Sequence, residues 1–224
     1  MKRLIAIIIM LVMCMSLVAC GENKKSAEKS TSDAGNSSLT ESTVLEKESA
    51  TGGQSEKTES TKAKVLVVYF SATGTTKGVA ERIADGLNAD LYEIVPQQPY
   101  TDADLNYNDK NSRSTVEMND PKARPAISGS VENMNQYDIV FLGYPIWWYD
   151  APRIMSTFVE SYNFSGKTIV PFCTSGSSSI GSSASNLEKL TSGATWMNGK
   201  RISGSESKDT IMQWVNSLSL DFGA

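Results

Sequence analysis

Residues Ser71-Ala72-Thr73-Gly74-Thr75-Thr76 place four hydroxyls and one glycine in six positions, between the apolar run Lys64–Phe70 and a stretch with helical spacing. At a helix start, hydroxyl donors, free backbone amides and the positive end of the helix dipole converge, which makes an anion site. The loop contains no Lys or Arg, so it suits a phosphate held by neutral donors better than a magnesium-bound triphosphate awaiting transfer. The competing reading is that Thr73 caps the helix, a role that needs only one hydroxyl.

Two other segments carry comparable chemistry. Tyr144-Pro145-Ile146-Trp147-Trp148-Tyr149-Asp150-Ala151-Pro152-Arg153 holds three consecutive rings. Three adjacent bulky rings cannot all face one core, so at least one is expected at the surface of the loop. A ring beside an anion site suits a planar aromatic ligand, with stacking worth about 0.5–1.5 kcal/mol beyond area burial. Thr174-Ser175-Gly176-Ser177-Ser178-Ser179-Ile180-Gly181 offers a flexible backbone and many donors; its plainer reading is a solvated linker.

Other chemistries are excluded by residue type. The chain has no histidine, which removes the usual general base, the Ser-His-Asp and Cys-His routes and most zinc sites. There is no G-x-G-x-x-G and no G-x-x-x-x-G-K-[ST], so neither a dinucleotide fingerprint nor a P-loop is present. A phosphoacceptor receiver domain needs carboxylates where this chain has Ser71 and Tyr144, and a cysteine phosphatase needs an arginine where it has Ser179. The net charge is -4 with no basic cluster, which argues against nucleic acid as a partner. No metal site is expected.

The elements that must hold these loops are legible as alternation. Lys64–Phe70 is apolar on both faces, as in a parallel strand covered by helices above and below. Val79, Ala80, Ile83, Ala84 and Leu87 recur at helical spacing and end at Asn88. Further strands are expected at Leu91–Val95, Tyr137–Gly143, Lys167–Cys173 and Ala194–Ile202. Helices are expected around Met155–Tyr162, Leu187–Leu190 and Ile211–Leu218. Pro171 inside the fourth strand calls for an edge or a bulge. The polar stretch 97–136 is long for a connection and is expected to hold a short helix and a functional loop. The pattern is a doubly wound three-layer α/β/α domain, with its ligand outside the carboxyl ends of the strands.

The N-terminus carries its own signal. Lys2 and Arg3 precede an apolar run that is too short to span a bilayer comfortably and ends in Leu17-Val18-Ala19-Cys20. That ending resembles the bacterial lipobox, which implies a signal peptide over 1–19, cleavage before Cys20 and a diacylglycerol on its thiol. The protein is then lipid-anchored on the extracytoplasmic face of the cell membrane, since acyl chains contribute about 0.8 kcal/mol per buried CH₂. Residues 20–62 are Ser, Thr, Glu and Lys-rich with few large aliphatics and no aromatic, the composition of a disordered tether. Residues 63–224 form the folded domain, about 160 residues and enough for one core. Its only cysteine is Cys173, expected to be packing and not a redox group. Without a twin-arginine pair, Sec export of an unfolded chain is expected, so any cofactor is acquired outside the cytoplasm.

Taken in order, Ser-Ala-Thr-Gly-Thr-Thr after the first strand, Gly-Tyr-Pro-Ile-Trp-Trp after the third and Pro-Phe-Cys-Thr-Ser-Gly at the fourth resemble the flavodoxin family, in its short-chain form. The resemblance implies a five-stranded parallel sheet of order 2-1-3-4-5 and non-covalent FMN. It implies that Ser71, Thr73, Gly74, Thr75 and Thr76 hold the FMN phosphate, with Ala72 contributing backbone. Pro145, Ile146, Trp147, Trp148 and Tyr149 then flank the isoalloxazine, one of the rings lying over it. Thr174, Ser175, Gly176 and Ser177 contact its polar edge or the ribityl chain, and Tyr100 or Tyr107 covers its outer edge. Three functions stay open: electron transfer with a redox partner protein, reduction of quinones or other small-molecule acceptors, and non-redox binding of a phosphorylated aromatic ligand.

Overall fold

The computed structural model describes residues 62–222. The expected signal peptide, Cys20 and the tether as far as Thr61 lie outside the described residues. Within them, β1 (Val65–Tyr69), α1 (Thr75–Leu87), β2 (Asp90–Glu93), β3 (Val95–Pro96), α2 (Arg113–Asn119), β4 (Ile127–Ser128), β5 (Ile139–Pro145), α3 (Arg153–Glu160), β6 (Thr168–Thr174), α4 (Ser183–Glu188), β7 (Thr195–Trp196), β8 (Lys200–Arg201) and α5 (Lys208–Ser217) follow one another.

The main sheet runs β2-β1-β5-β6-β7, with β8 also on β6. Its neighbours are parallel throughout, Leu66 opposite Asp90, Val65 opposite Ile139 and Ile139 opposite Thr168. Counting β7 and β8 as one interrupted strand, this is the expected 2-1-3-4-5 order. Alternation along β1 explains the layers. Leu66, Val68 and Phe70 enter one core with Ile154, Phe158 and Leu187 of α3 and α4. Val65, Val67 and Tyr69 enter the other with Val79, Ile83, Ile211 and Val215 of α1 and α5. A strand buried on both faces has no polar positions to spare, which is why β1 reads as a continuous apolar run.

Two strands depart from expectation. The second stops at Glu93, because the chain turns out of the sheet and Val95–Pro96 pairs antiparallel with Ile127–Ser128. The fifth is broken at Met197–Gly199, and the cause is Pro171. The odd-numbered residues of β6 point their polar groups toward the outer strand: Met197 N–H donates to the Ile169 carbonyl and Ile202 N–H to that of Cys173. Pro171 has no N–H to offer there, and its partner strand loops away between Ile169↔Trp196 and Phe172↔Lys200. Gly199 fills the gap, where a Cβ would lie 2.9 Å from Pro171 Cγ and 2.4 Å from Ile180 Cδ1.

The helix at Leu187 is α4, and α3 stops before Tyr162, whose hydroxyl instead accepts from the Val131 N–H at 2.7 Å. The long 97–136 segment holds α2, capped by the Ser112 side chain on the Thr115 N–H.

Candidate functional site

At the carboxyl end of β1 the chain passes through Ser71–Gly74 into α1. Gly74 is the N-cap, at φ 84, and no side chain caps the helix. The ladder starts with Gly78 N–H donating to the Gly74 carbonyl, so the amides of the first turn have no intrahelical acceptor. Thr73 therefore does not serve as a cap and its hydroxyl is free for another use. Thr76 is buried, its Oγ1 2.8 Å from Thr174 Oγ1, which ties this loop to the end of β6. Ser71 Oγ is buried and has no hydrogen-bond partner. A buried hydroxyl left unpaired costs about 1–3 kcal/mol, so its position calls for a partner from outside the chain.

The three rings after β5 separate as their crowding requires. Trp147 and Asp150 exchange two backbone hydrogen bonds of 2.9 Å, closing a tight turn with Trp148 at φ 46 and Tyr149 at φ 64. Both central residues are left-handed, as in a type I′ turn, a conformation that ordinarily goes to Asn and Gly. Trp147 turns inward, edge-on to Phe70 (5.6 Å) and to Tyr100 (5.2 Å). Trp148 is 38% exposed and Tyr149 82% exposed.

Between these loops lies a cavity of about 440 Å³. Its floor is Ser71, Ala72, Thr73 and Thr76, one wall is Pro145, Ile146, Trp147 and Trp148, and the other is Leu105, Tyr107 and Ser114 from the long segment. Among the described residues no charged side chain lines it. Asp150 and Arg153 pair at 3.1 Å, and Arg153 also donates to the Met118 carbonyl at 2.9 Å.

Of the residues expected at the site, Gly74 and Thr75 sit at the helix start beside the cavity, Thr75 against Gly204. Tyr149 points to solvent, and Thr174 reaches the floor only through Thr76. Ser175, Gly176 and Ser177 do not line the cavity. Arg201 donates to the carbonyls of Ser175 and Gly176, at 3.0 and 2.9 Å, and to Ser175 Oγ at 3.0 Å. Tyr107 lines the outer edge, whereas Tyr100 stands behind Trp147, with its hydroxyl on Glu117 at 2.5 Å and Arg113 over its ring at 4.1 Å. Leu105, Ser114 and Arg201 had no signal of their own, for isolated residues in polar or short segments follow no period.

Burial of Cys173 pushes its thiol up to about 12, against a weaker downward pull from Arg201. A group held so firmly as a thiol is packing, as expected. Burial likewise raises Tyr144, whose hydroxyl lies 3.1 Å from Ser183 Oγ.

A flavodoxin family model matches residues 64–218. A candidate flavoprotein of known structure from Bacteroides eggerthii DSM 20697 is 51% identical, with TM-score 0.67 over 70% of this chain and 99% of that chain. Another, from Bacteroides uniformis ATCC 8492, is 46% identical with TM-score 0.66 over the same shares. A flavoprotein from Lactobacillus acidophilus NCFM, solved in complex with FMN, is 21% identical with TM-score 0.53, over 68% of this chain and 99% of that chain, and shares the fold. No curated protein matches.

Proposed function

This chain belongs to the flavodoxin family, and from that premise we propose that it is an FMN-binding electron carrier held to the membrane by a lipid on Cys20. The observation that carries FMN is the unpartnered Ser71 hydroxyl, buried on the floor of a cavity at the uncapped start of α1. The site fits the group: about 440 Å³ lies within the range of small-ligand pockets, the floor offers neutral donors and the wall offers an indole.

Ser71, Thr73, Thr75 and Thr76 with the amides of Ala72 and Gly74 hold the phosphate. Pro145 to Trp148 flank the ring, Trp148 being the indole both exposed and on the wall, while Tyr149 stands outside the cavity in solvent. Thr174 supports the floor through Thr76, and the loop it leads into, Ser175 to Ser177, approaches the polar edge of the ring from outside the cavity walls. The cofactor supplies one- and two-electron redox chemistry; the protein binds it, excludes water and sets the energy of its reduced form. Anchoring rests on the Leu17–Cys20 ending, since no helix among the described residues is long and apolar enough to cross a membrane.

A second reading, reduction of quinones or similar small acceptors, is favoured by one observation: Tyr107 and Trp148 leave an open, uncharged apolar edge on the cavity. Native membranes test both. The carrier reading expects membrane-bound protein with a flavin spectrum, released by Cys20→Ala, that does not oxidise NAD(P)H alone. Turnover of NAD(P)H with a quinone supports the reductase, and colourless protein that cannot be reconstituted with FMN contradicts both.

A further inference from the structure

Arg201 ends β8 opposite Cys173, so its side chain emerges where the loop after β6 begins. Its Nη2 donates to the carbonyls of Ser175 and Gly176, and its Nε to Ser175 Oγ at 3.0 Å. Ser175 Oγ in turn donates to the Ser178 carbonyl. One guanidinium thus holds the start of a Ser/Gly turn, whose far end is tied back through Ser175 Oγ, where there is little apolar surface to hold it and much conformational entropy to lose.

Among the other described arginines, Arg113, Arg124 and Arg153 are matched by the carboxylates of Glu117, Glu160 and Asp150, while Arg82, like Arg201, donates to a backbone carbonyl, that of Gly204. Among the described residues no carboxylate lies within ion-pair distance of Arg201. Bonded to neutral carbonyls, it keeps its full charge beside the loop, and that charge is felt at the adjacent Cys173. The loop begins at Thr174, which touches Thr76 on the cavity floor.

We propose that Arg201 is a positioning residue of the flavin site, which holds the Ser175–Gly176 turn against the polar edge of the ring and supplies the positive charge behind it. The inference rests on the FMN reading above. A planar fork is needed for the first role, since it spans two carbonyls at fixed geometry, whereas any cation serves the second. The reduced flavin gains negative charge, so a cation here favours reduction.

The test uses the full-length protein with Arg201→Gln and Arg201→Lys, titrated with FMN and then poised in a redox titration. Arg201 is exposed, and circular dichroism of each apoprotein checks that the fold is kept. R201Q is expected to bind FMN about tenfold more weakly, with a two-electron midpoint potential lower by about 30 mV, a tenfold weaker preference for the reduced form. R201K is expected to restore the potential but not the affinity. Unchanged affinity and potential in R201Q, with wild-type protein that binds FMN, overturn this inference alone. Wild-type protein that binds no FMN overturns the FMN reading and this inference with it.

Discussion

Ser71 serves two states with opposite demands. In the apoprotein its hydroxyl is buried without a partner, a cost that a bound phosphate oxygen would remove. Ser71→Ala is therefore expected to raise apoprotein stability by about 1 kcal/mol in urea unfolding while weakening FMN binding about tenfold. Lower stability together with unchanged affinity would sink this account of the residue. Tyr149 poses the same question in the backbone. It is exposed yet left-handed, and a side chain in that conformation costs about 1–2 kcal/mol. Tyr149→Gly should raise the urea midpoint of the apoprotein, by about 1 kcal/mol in stability; a fall would mean that the ring holds the turn together. The hydroxyl loop and the crowding of three rings were legible as chemistry from residue types alone. Which way each ring turned was not, because the Trp147–Asp150 pairing that directs them is a backbone event with no composition signature.

The elements were legible wherever a strand is buried on both faces or a helix has one apolar stripe. Legibility failed at edges, where packing constrains less. β2 is half exposed, so its apolar content did not mark where it leaves the sheet. The interruption of the fifth strand follows from a residue in its neighbour: Pro171 denies it a donor, and Gly199 alone lets it pass close by. The sequence contained both residues but not their juxtaposition, which depends on parallel register. Gly199→Ala is expected to cost about 1–3 kcal/mol by overpacking against Pro171 and Ile180, measured as a lower Tm. An unchanged Tm would show that the bulge yields freely. The wall formed by Leu105, Tyr107 and Ser114 lay in a segment recognised as long and functional but without periodicity, and it took the tertiary fold to bring it opposite Trp148.

At the scale of the whole molecule, several buried hydroxyls and one thiol share a pH dependence. Burial raises Cys173 and Tyr137 to about 12, and burial raises Tyr69, Tyr100 and Tyr144 as well. In the unfolded chain these groups ionise first as pH rises, starting from the ordinary thiol value of 9.0. The unfolded state then binds fewer protons than the folded one, so stability is intact below that value and is lost progressively above it. The urea midpoint is expected to be lower at about pH 10.5 than at about pH 8; no decline would mean that these groups are less enclosed than the fold implies.

The domain as a whole is a two-faced sheet with one uncharged cavity at its carboxyl end, and the central claim is that FMN fills it through its phosphate. Titration of the apoprotein with FMN and, separately, with riboflavin, followed by flavin fluorescence, tests this most directly. The account predicts one FMN bound per chain with its fluorescence quenched beside Trp148, and riboflavin bound at least about tenfold more weakly, because it lacks the group that Ser71 and the start of α1 await. Equal affinity for the two flavins, or no binding of either, would contradict it.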